Sequence, residues 1–174
     1  MEHSSYKVSK EDLVKVNESA LAEIDHYFEG ITNPILYILQ THLYAENLLE
    51  RLLVAELPKG KKLISDGRLT FFQKIKVVES LDIVDGQVIK SLSELNKVRN
   101  ELAHKFDHGL TSDSIEQFGK PFGDDYINFT NKSESCLFLR LQLVCNHLIA
   151  SLAGYTKTIE YAVENTHNKQ FNKD

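Results

Sequence analysis

The sequence contains only two cysteines, which limits how the fold can be stabilised. Cys136 and Cys145 lie nine residues apart on one predicted helix, a separation that is unfavourable for a disulfide bond between them. So small a number of cysteines is typical of proteins in a reducing compartment. The chain of 174 residues is nevertheless long enough to bury a hydrophobic core without cross-links, and its length fits one domain.

Signals for export and membrane insertion are also lacking. The first residues contain no apolar signal-peptide segment, and no uninterrupted apolar run is long enough to span a bilayer. We therefore expect a cytoplasmic protein that does not enter the membrane. The formal net charge of -5 argues against broad, non-specific binding of nucleic acid, although a local basic site could lie on an acidic body.

Apolar residues recur at helical spacing along most of the chain, and no segment has a convincing strand pattern. We predict an all-α protein of about five helices that forms a single domain over residues 1–174. Capping pairs mark three predicted helix starts: Ser9 with Asp12, Asn33 with Pro34, and Thr70 with Gln73.

Two stretches are predicted to be irregular, and the last helix is predicted to be long. Residues 58–69 have the composition of a Lys- and Gly-containing loop. Residues 107–132 have that of a long polar connection with one or two helical turns around Ser114–Phe118, and a connection of this length is often functional. The last helix, over about 133–163, would be about 45 Å long. A small bundle does not need that length, and a second subunit often covers such an overhang.

An arginine interrupts an apolar stripe near the middle of the chain. Val88, Leu92 and Leu95 follow helical spacing, and the next position in the same rhythm is Arg99. A buried guanidinium is unfavourable unless it is paired, so Arg99 needs a ligand or a carboxylate. The second helix offers Glu46 or Glu50 as a partner in a structural ion pair.

His42 and Glu46 interrupt the apolar face of the second helix, one turn apart. For His42 we favour a hydrogen-bonded core histidine over a ligand, and we assign both residues a supporting role. Lysines in 59–62 form either a solvated loop or a contact with an RNA backbone.

Arg99 and His104 are residue types suited to phosphodiester chemistry. Arginine presents a planar, charged fork to a phosphate, and histidine can transfer a proton near neutral pH. Together they could cleave RNA without a metal ion, with Asn100 orienting one of them. On an ideal helix, however, positions 99 and 104 differ by about 140°. They converge only if the helix loosens near Leu102 or if a partner subunit completes the site.

Spacing alone is weak evidence for such a site, because Arg140 and His147 have a similar arrangement on the last helix. We interpret that second pair as structural, since it lies on a core helix. His104 and His108 have the spacing of a metal-binding pair, but Gly109 makes a continuous helix there improbable. We predict neither a metal site nor a cofactor.

The central motif resembles the Arg-x4-6-His signature of the HEPN superfamily, in which a polar residue follows the arginine. In this sequence it reads Arg99-Asn100-Glu101-Leu102-Ala103-His104. The early helix with inward polar residues and the run after Thr70 also look like this superfamily. The run from Thr70 to His104 is similar as well to the HEPN-related mannitol-operon repressor group, whose members show that such a domain need not be a nuclease.

The resemblance, which covers a core of about residues 33–160, implies an up-and-down helical bundle that usually dimerises and places Arg/His pairs from two subunits in a shared cleft. Active members cut RNA without metal in toxin–antitoxin, abortive-infection and restriction systems, while others are binding or regulatory modules. Arg99, Asn100 and His104 match the catalytic motif, and Glu46 is a looser match. We therefore expect a homodimeric endoribonuclease, which has an antitoxin or another regulatory protein as a partner. The first alternative is a non-catalytic HEPN-like dimer that serves as a regulatory or protein-interaction module. The second is an all-helical interaction protein in which the motif is only a buried ion pair.

Overall fold

The computed structural model describes residues 8–104, 110–133 and 136–171. Within these ranges the chain forms helices and no strand, which confirms the all-α prediction. The elements are α1 (Lys10–Phe28), α2 (Pro34–Glu56), α3 (Gly60–Gly67), α4 (Phe71–Leu81), α5 (Gly86–His104), α6 (Ser112–Gly119), a 3-10 turn (Lys120–Phe122), α7 (Asp124–Ser133) and α8 (Leu137–Phe171).

The predicted capping residues act at the starts of three helices. The Asn33 side chain accepts hydrogen bonds from two backbone N–H groups in the first turn of α2, and Pro34 occupies the first helical position. Thr70 and Gln73 form both halves of a capping box at α4. Ser9 Oγ accepts the backbone N–H of Asp12 at 3.2 Å. These bonds satisfy N–H groups that have no partner inside the helix, which fixes where each helix begins.

Helices α2 and α8 form the centre of the bundle and run parallel to each other. Tyr37 Oη donates to Asn146 at one end, and Arg51 Nε donates to Glu160 at the other, and both pairs are separated by 109 residues. The residues between these contacts bury a continuous apolar surface. Its fully buried members include Leu48, Leu52, Leu148 and Leu152.

Helix α1 packs antiparallel to α2. The Phe28 ring lies 4.9 Å from the Tyr37 ring near the loop that joins the two helices, and Glu23 pairs with Arg51 further along. Arg51 also binds both carboxylate oxygens of Glu160 through Nε and Nη2. A single partly buried guanidinium therefore connects α1, α2 and α8.

Helices α4 and α5 complete the core on another side of α2. The predicted stripe of α5 is buried: Val88, Leu92 and Leu95 are at most 4% exposed. The stripe brings the following turn of α5, which contains Arg99, against α2. The same packing places the functional candidates of α2 and α5 next to each other.

The helical turns predicted around Ser114–Phe118 are confirmed and belong to α6. The rest of the polar connection predicted up to residue 132 is wrong from residue 112 onwards, because these residues form the ends of α6, the 3-10 turn and α7. The polar residues that suggested a loop occupy helix starts. Thr111 caps α6, while Asp124 and Asp125 lie in the first turn of α7, where negative charge favours helix formation. Phe118 and Phe122 are buried and hold this segment on the core.

The predicted loop over 58–69 contains a short helix, α3, so the described residues form more helices than the five expected. This helix begins close to the backbone of α2. A Cβ atom at Gly60 would lie 2.1 Å from the carbonyl oxygen of Leu53, so only glycine fits this contact. The sequence pattern missed α3 because its apolar face is small and three lysines accompany it in residues 59–62.

Helix α8 begins at Leu137 and ends at Phe171, later at both ends than predicted. By length and composition, Leu137–Thr166 is the one described segment that could cross a membrane, and 39% of its most apolar window is buried inside the protein. The segment contains no uninterrupted apolar run of that length, because residues such as Asn146 and His147 interrupt it without making it polar on average. A core helix of a bundle meets the same criterion.

Candidate functional site

The central motif lies in the last turns of α5. Arg99 is partly buried, and its Nη1 donates a hydrogen bond of 3.1 Å to Oδ1 of Asn100, which is exposed. His104 is the last residue of α5, and its side chain lies outside the described part of the structure. The predicted helix end at His108 and Gly109 also falls outside it.

Helix α5 continues without interruption through Leu102. The helix therefore does not loosen near Leu102, which was one of the two ways in which Arg99 and His104 could meet in one site. Positions 99 and 104 retain the difference of about 140° around the helix axis. A site that uses both residues of a regular helix needs a second chain or a ligand that contacts both sides of α5.

A buried lysine occupies the carboxylates that were expected to pair with Arg99. Lys74 of α4 is 5% exposed, and its Nζ lies 2.6 Å from Glu46 Oε1 and also contacts Glu50 Oε1. Neither glutamate forms an ion pair with Arg99. Burial tends to lower the pKa of Lys74, but the hydrogen bonds and charges of the two glutamates outweigh burial and raise it. Lys74 is therefore charged, and it connects α4 to α2.

His42 lies between this ion cluster and α5. It is 7% exposed, its ring is 4.1 Å from that of Phe71, and Asn96 hydrogen-bonds its side chain. Burial lowers the pKa of His42, and the positive charges of Arg99 and Lys74 lower it further, against the opposing effects of Glu46 and Asn96. The imidazole is therefore neutral at pH 7 and faces the same region as Arg99.

The structure thus brings His42, Glu46, Arg99 and Asn100 into one region on α2 and α5. It adds Lys74 and Asn96, which the sequence analysis did not select. A signal for Lys74 was present, because it lies at helical spacing between the buried residues Phe71 and Val78. A lysine on the apolar face of a helix requires a carboxylate nearby, and Glu46 and Glu50 are one turn apart on α2.

The second arginine–histidine pair contributes to packing. His147 is in edge contact with the rings of Phe122 and Phe129, and its Nε2 lies 3.6 Å from Asp125 Oδ2. Arg140 Nε donates to Ser133 Oγ at 3.2 Å. These contacts hold the 3-10 turn and α7 against α8, in agreement with the structural interpretation of the pair.

The cysteines and the acidic residues provide no further cluster. Cys136 is exposed, whereas Cys145 is buried, and burial raises the pKa of its thiol to about 12. Within 8–104, 110–133 and 136–171, no three His, Cys, Asp or Glu side chains are close enough together to hold a metal ion. No family model, curated protein or solved structure matches this chain.

Proposed function

We propose that the chain is a HEPN-type domain that acts as a metal-independent endoribonuclease in a toxin or defence system, in the cytoplasm. The observation that carries this proposal is the position of Arg99. Its guanidinium is partly exposed, is not paired with a described carboxylate, and is followed by Asn100 and, five residues later, by His104.

A phosphate is a suitable ligand for this arginine. Among the contacts of the described residues, one N–H of the Arg99 guanidinium donates to Asn100. The other N–H groups of the guanidinium can donate to phosphate oxygens. The ion cluster of Lys74, Glu46 and Glu50 supports the neighbouring turns of α2 without neutralising Arg99. The neutral His42 adds no positive charge that would compete for the same phosphate.

The proposed reaction is an internal transfer at phosphorus. His104 accepts the proton of a ribose 2′-OH, the 2′-oxygen bonds to the adjacent phosphorus, and the bond to the 5′-oxygen breaks. The leaving 5′-oxygen takes up a proton, so the products are a 2′,3′-cyclic phosphate and a 5′-hydroxyl. Arg99 stabilises the charge that develops on the phosphoryl oxygens.

A homodimer with a shared cleft is part of the proposal. The regular helix keeps positions 99 and 104 of one subunit on different sides of α5, which favours a site built from Arg99 of one subunit and His104 of the other. RNA would bind in this cleft. An antitoxin or another regulatory protein would control the activity.

A non-catalytic HEPN-like dimer is the second candidate. It is favoured by the hydrogen bond that holds Arg99 against Asn100 and by the orientation of this turn of α5 towards α2. In that case, the domain would serve in regulation or protein interaction. The same residues would then bind without cutting.

The test is an RNA cleavage assay with purified protein in EDTA, using mixed RNA and the variants Arg99→Ala and His104→Ala. We expect the wild type to cut the RNA, and both variants to cut it at least about a hundredfold more slowly. Two exposed residues of the same types supply matched controls, Arg68→Gln and His26→Ala, which should retain the activity.

Circular dichroism melting curves should show that all four variants remain folded. Equal background cleavage by the wild type and the two motif variants would contradict the nuclease proposal and favour the regulatory dimer. If cleavage persists in His104→Ala but is lost in Arg99→Ala, only the role assigned to His104 is contradicted, and the role of Arg99 stands.

A further inference from the structure

A basic groove lies between α5 and the segment formed by α6 and the 3-10 turn. Lys90 and Lys97 line it from α5, and Lys120 lines it from the other side, together with Gln117 and Pro121. The groove is open to solvent and has a volume of about 410 Å³. It is separate from the cluster around Lys74, which faces α2.

The groove has an excess of positive charge. Glu94 is its only acidic lining residue among the described part of the chain, and it pairs with Lys97 at 2.6 Å. The Glu94 side chain is 23% exposed, whereas that of Lys97 is 65% exposed, so the lysine is the more accessible partner of the pair. Lys90 and Lys120 are exposed as well. On a chain with a net charge of -5, such a local surplus is what an anionic ligand requires.

Helix α5 forms one side of the groove and also carries the motif. Position 104 comes seven residues after position 97, which is about two turns and about 10.5 Å further along the same side of α5. A ligand chain that follows this side of the helix from Lys90 through Lys97 therefore reaches position 104, whereas Arg99 of the same subunit lies on another side of α5.

We propose that this groove binds the phosphate backbone of single-stranded RNA next to the phosphodiester that is cut. The inference rests on the proposed ribonuclease function and gives it a substrate-binding surface. Lysine amines are suitable contacts for a backbone of unspecified sequence, since they attract phosphates as point charges and do not read bases. The groove predicts affinity that depends strongly on salt and only weakly on sequence.

An acidic protein segment is the other ligand that three lysines could attract. RNA is favoured because an extended strand continues along α5 to the motif. An acidic peptide would also be expected to use apolar contacts, and Pro121 is the only apolar lining residue that the described part of the groove provides.

The experiment measures RNA binding by fluorescence anisotropy with the full chain. The probe is a fluorescein-labelled, mixed-sequence 20-nucleotide 2′-O-methyl RNA, which lacks the 2′-OH and cannot be cut. The groove variant carries Lys90→Gln, Lys97→Gln and Lys120→Gln. We expect its affinity at 50 mM NaCl to fall about tenfold, and the slope of log K against log salt to become shallower by about 2, as for three lost phosphate contacts.

The matched control carries Lys10→Gln, Lys15→Gln and Lys76→Gln. It changes the net charge by the same amount at exposed positions of α1 and α4, and like the groove variant it removes one lysine that pairs with a glutamate three residues away. Its affinity should change less than about threefold. An equal loss in both variants, or no loss in the groove variant, would overturn the assignment. So would tighter binding of a 20-residue poly-glutamate peptide than of RNA at the same lysines.

Failure of this inference can be separated from failure of the proposed function. If wild-type protein and the groove variant cut RNA at the same rate under subsaturating conditions, the groove assignment fails and the ribonuclease proposal stands. If neither cuts RNA but only the groove variant loses RNA binding, the ribonuclease proposal fails and the groove remains an RNA-binding surface.

Discussion

Burial lowers the pKa of the His42 imidazole, and this shift should make the stability of the protein depend on pH. The unfolded chain has an ordinary histidine pKa of about 6.5. Below that pH the unfolded state binds a proton that the folded state resists, so the free energy of unfolding falls as the pH is lowered. Between pH 6.5 and the folded pKa, the slope from this one residue approaches about 1.4 kcal/mol per pH unit.

The variant His42→Gln should lose this part of the pH dependence. Urea unfolding at pH 7.0 and pH 5.5 measures it as the difference in unfolding free energy between the two conditions. We expect a smaller difference in the variant than in the wild type, whereas His26→Gln, at an exposed position, should behave as the wild type does. A wild-type slope retained in His42→Gln would show that folding does not lower the pKa of this histidine.

Gly119, in the corner between α6 and α7, is required for lack of space and not for its backbone conformation, because its φ is negative. A Cβ atom at Gly119 would lie 2.2 Å from Cδ2 of Tyr126, which packs against the core from α7. Gly119→Ala should therefore displace the tyrosine and lower the unfolding free energy by about 1–3 kcal/mol, as overpacking does elsewhere. Chemical denaturation monitored by circular dichroism measures this loss.

Two further variants test the cause. Gly86→Ala makes the same chemical change at the start of α5, where no atom lies within 4 Å of the added Cβ, and should be neutral or stabilising. Replacing Tyr126 by Leu in the Gly119→Ala background should recover part of the lost stability. A Gly119→Ala variant as stable as Gly86→Ala would contradict the predicted clash.

At the scale of the whole molecule, the sequence predicted those features that depend only on residues close together in the chain. Stripes such as Val88, Leu92 and Leu95 predicted buried helix faces, and Asn33 and Thr70 predicted helix starts, because spacing and capping are properties of neighbouring residues. Contacts between distant residues were not predictable in this way. Lys74 pairs with Glu46 because α4 packs against α2, and this packing cannot be inferred from the spacing of residues within either helix.

The ends of α6, the 3-10 turn and α7 were missed for a related reason. Thr111 and the acidic pair Asp124 and Asp125 are polar residues that belong equally to loops and to helix starts. Their interpretation depends on Phe118 and Phe122 being buried, which is settled by packing over the rest of the fold. The same holds for the candidate site. The motif of Arg99, Asn100 and His104 could be recognised in the sequence, but the ion cluster of Lys74, Glu46 and Glu50 beside it could not.

The proposed shared cleft makes a prediction that only an assembly can satisfy. If Arg99 of one subunit acts with His104 of the other, a mixed dimer of Arg99→Ala and His104→Ala contains one site in which both residues are intact. Random re-pairing of equal amounts makes half of the dimers mixed, so about a quarter of the wild-type cleavage rate should return. If both residues act within one subunit, every site in the mixture lacks one of them, and no activity returns. The measurement requires subunit exchange under mild denaturant and a light-scattering mass of twice the 19.9 kDa chain; a monomeric mass would contradict the shared cleft directly.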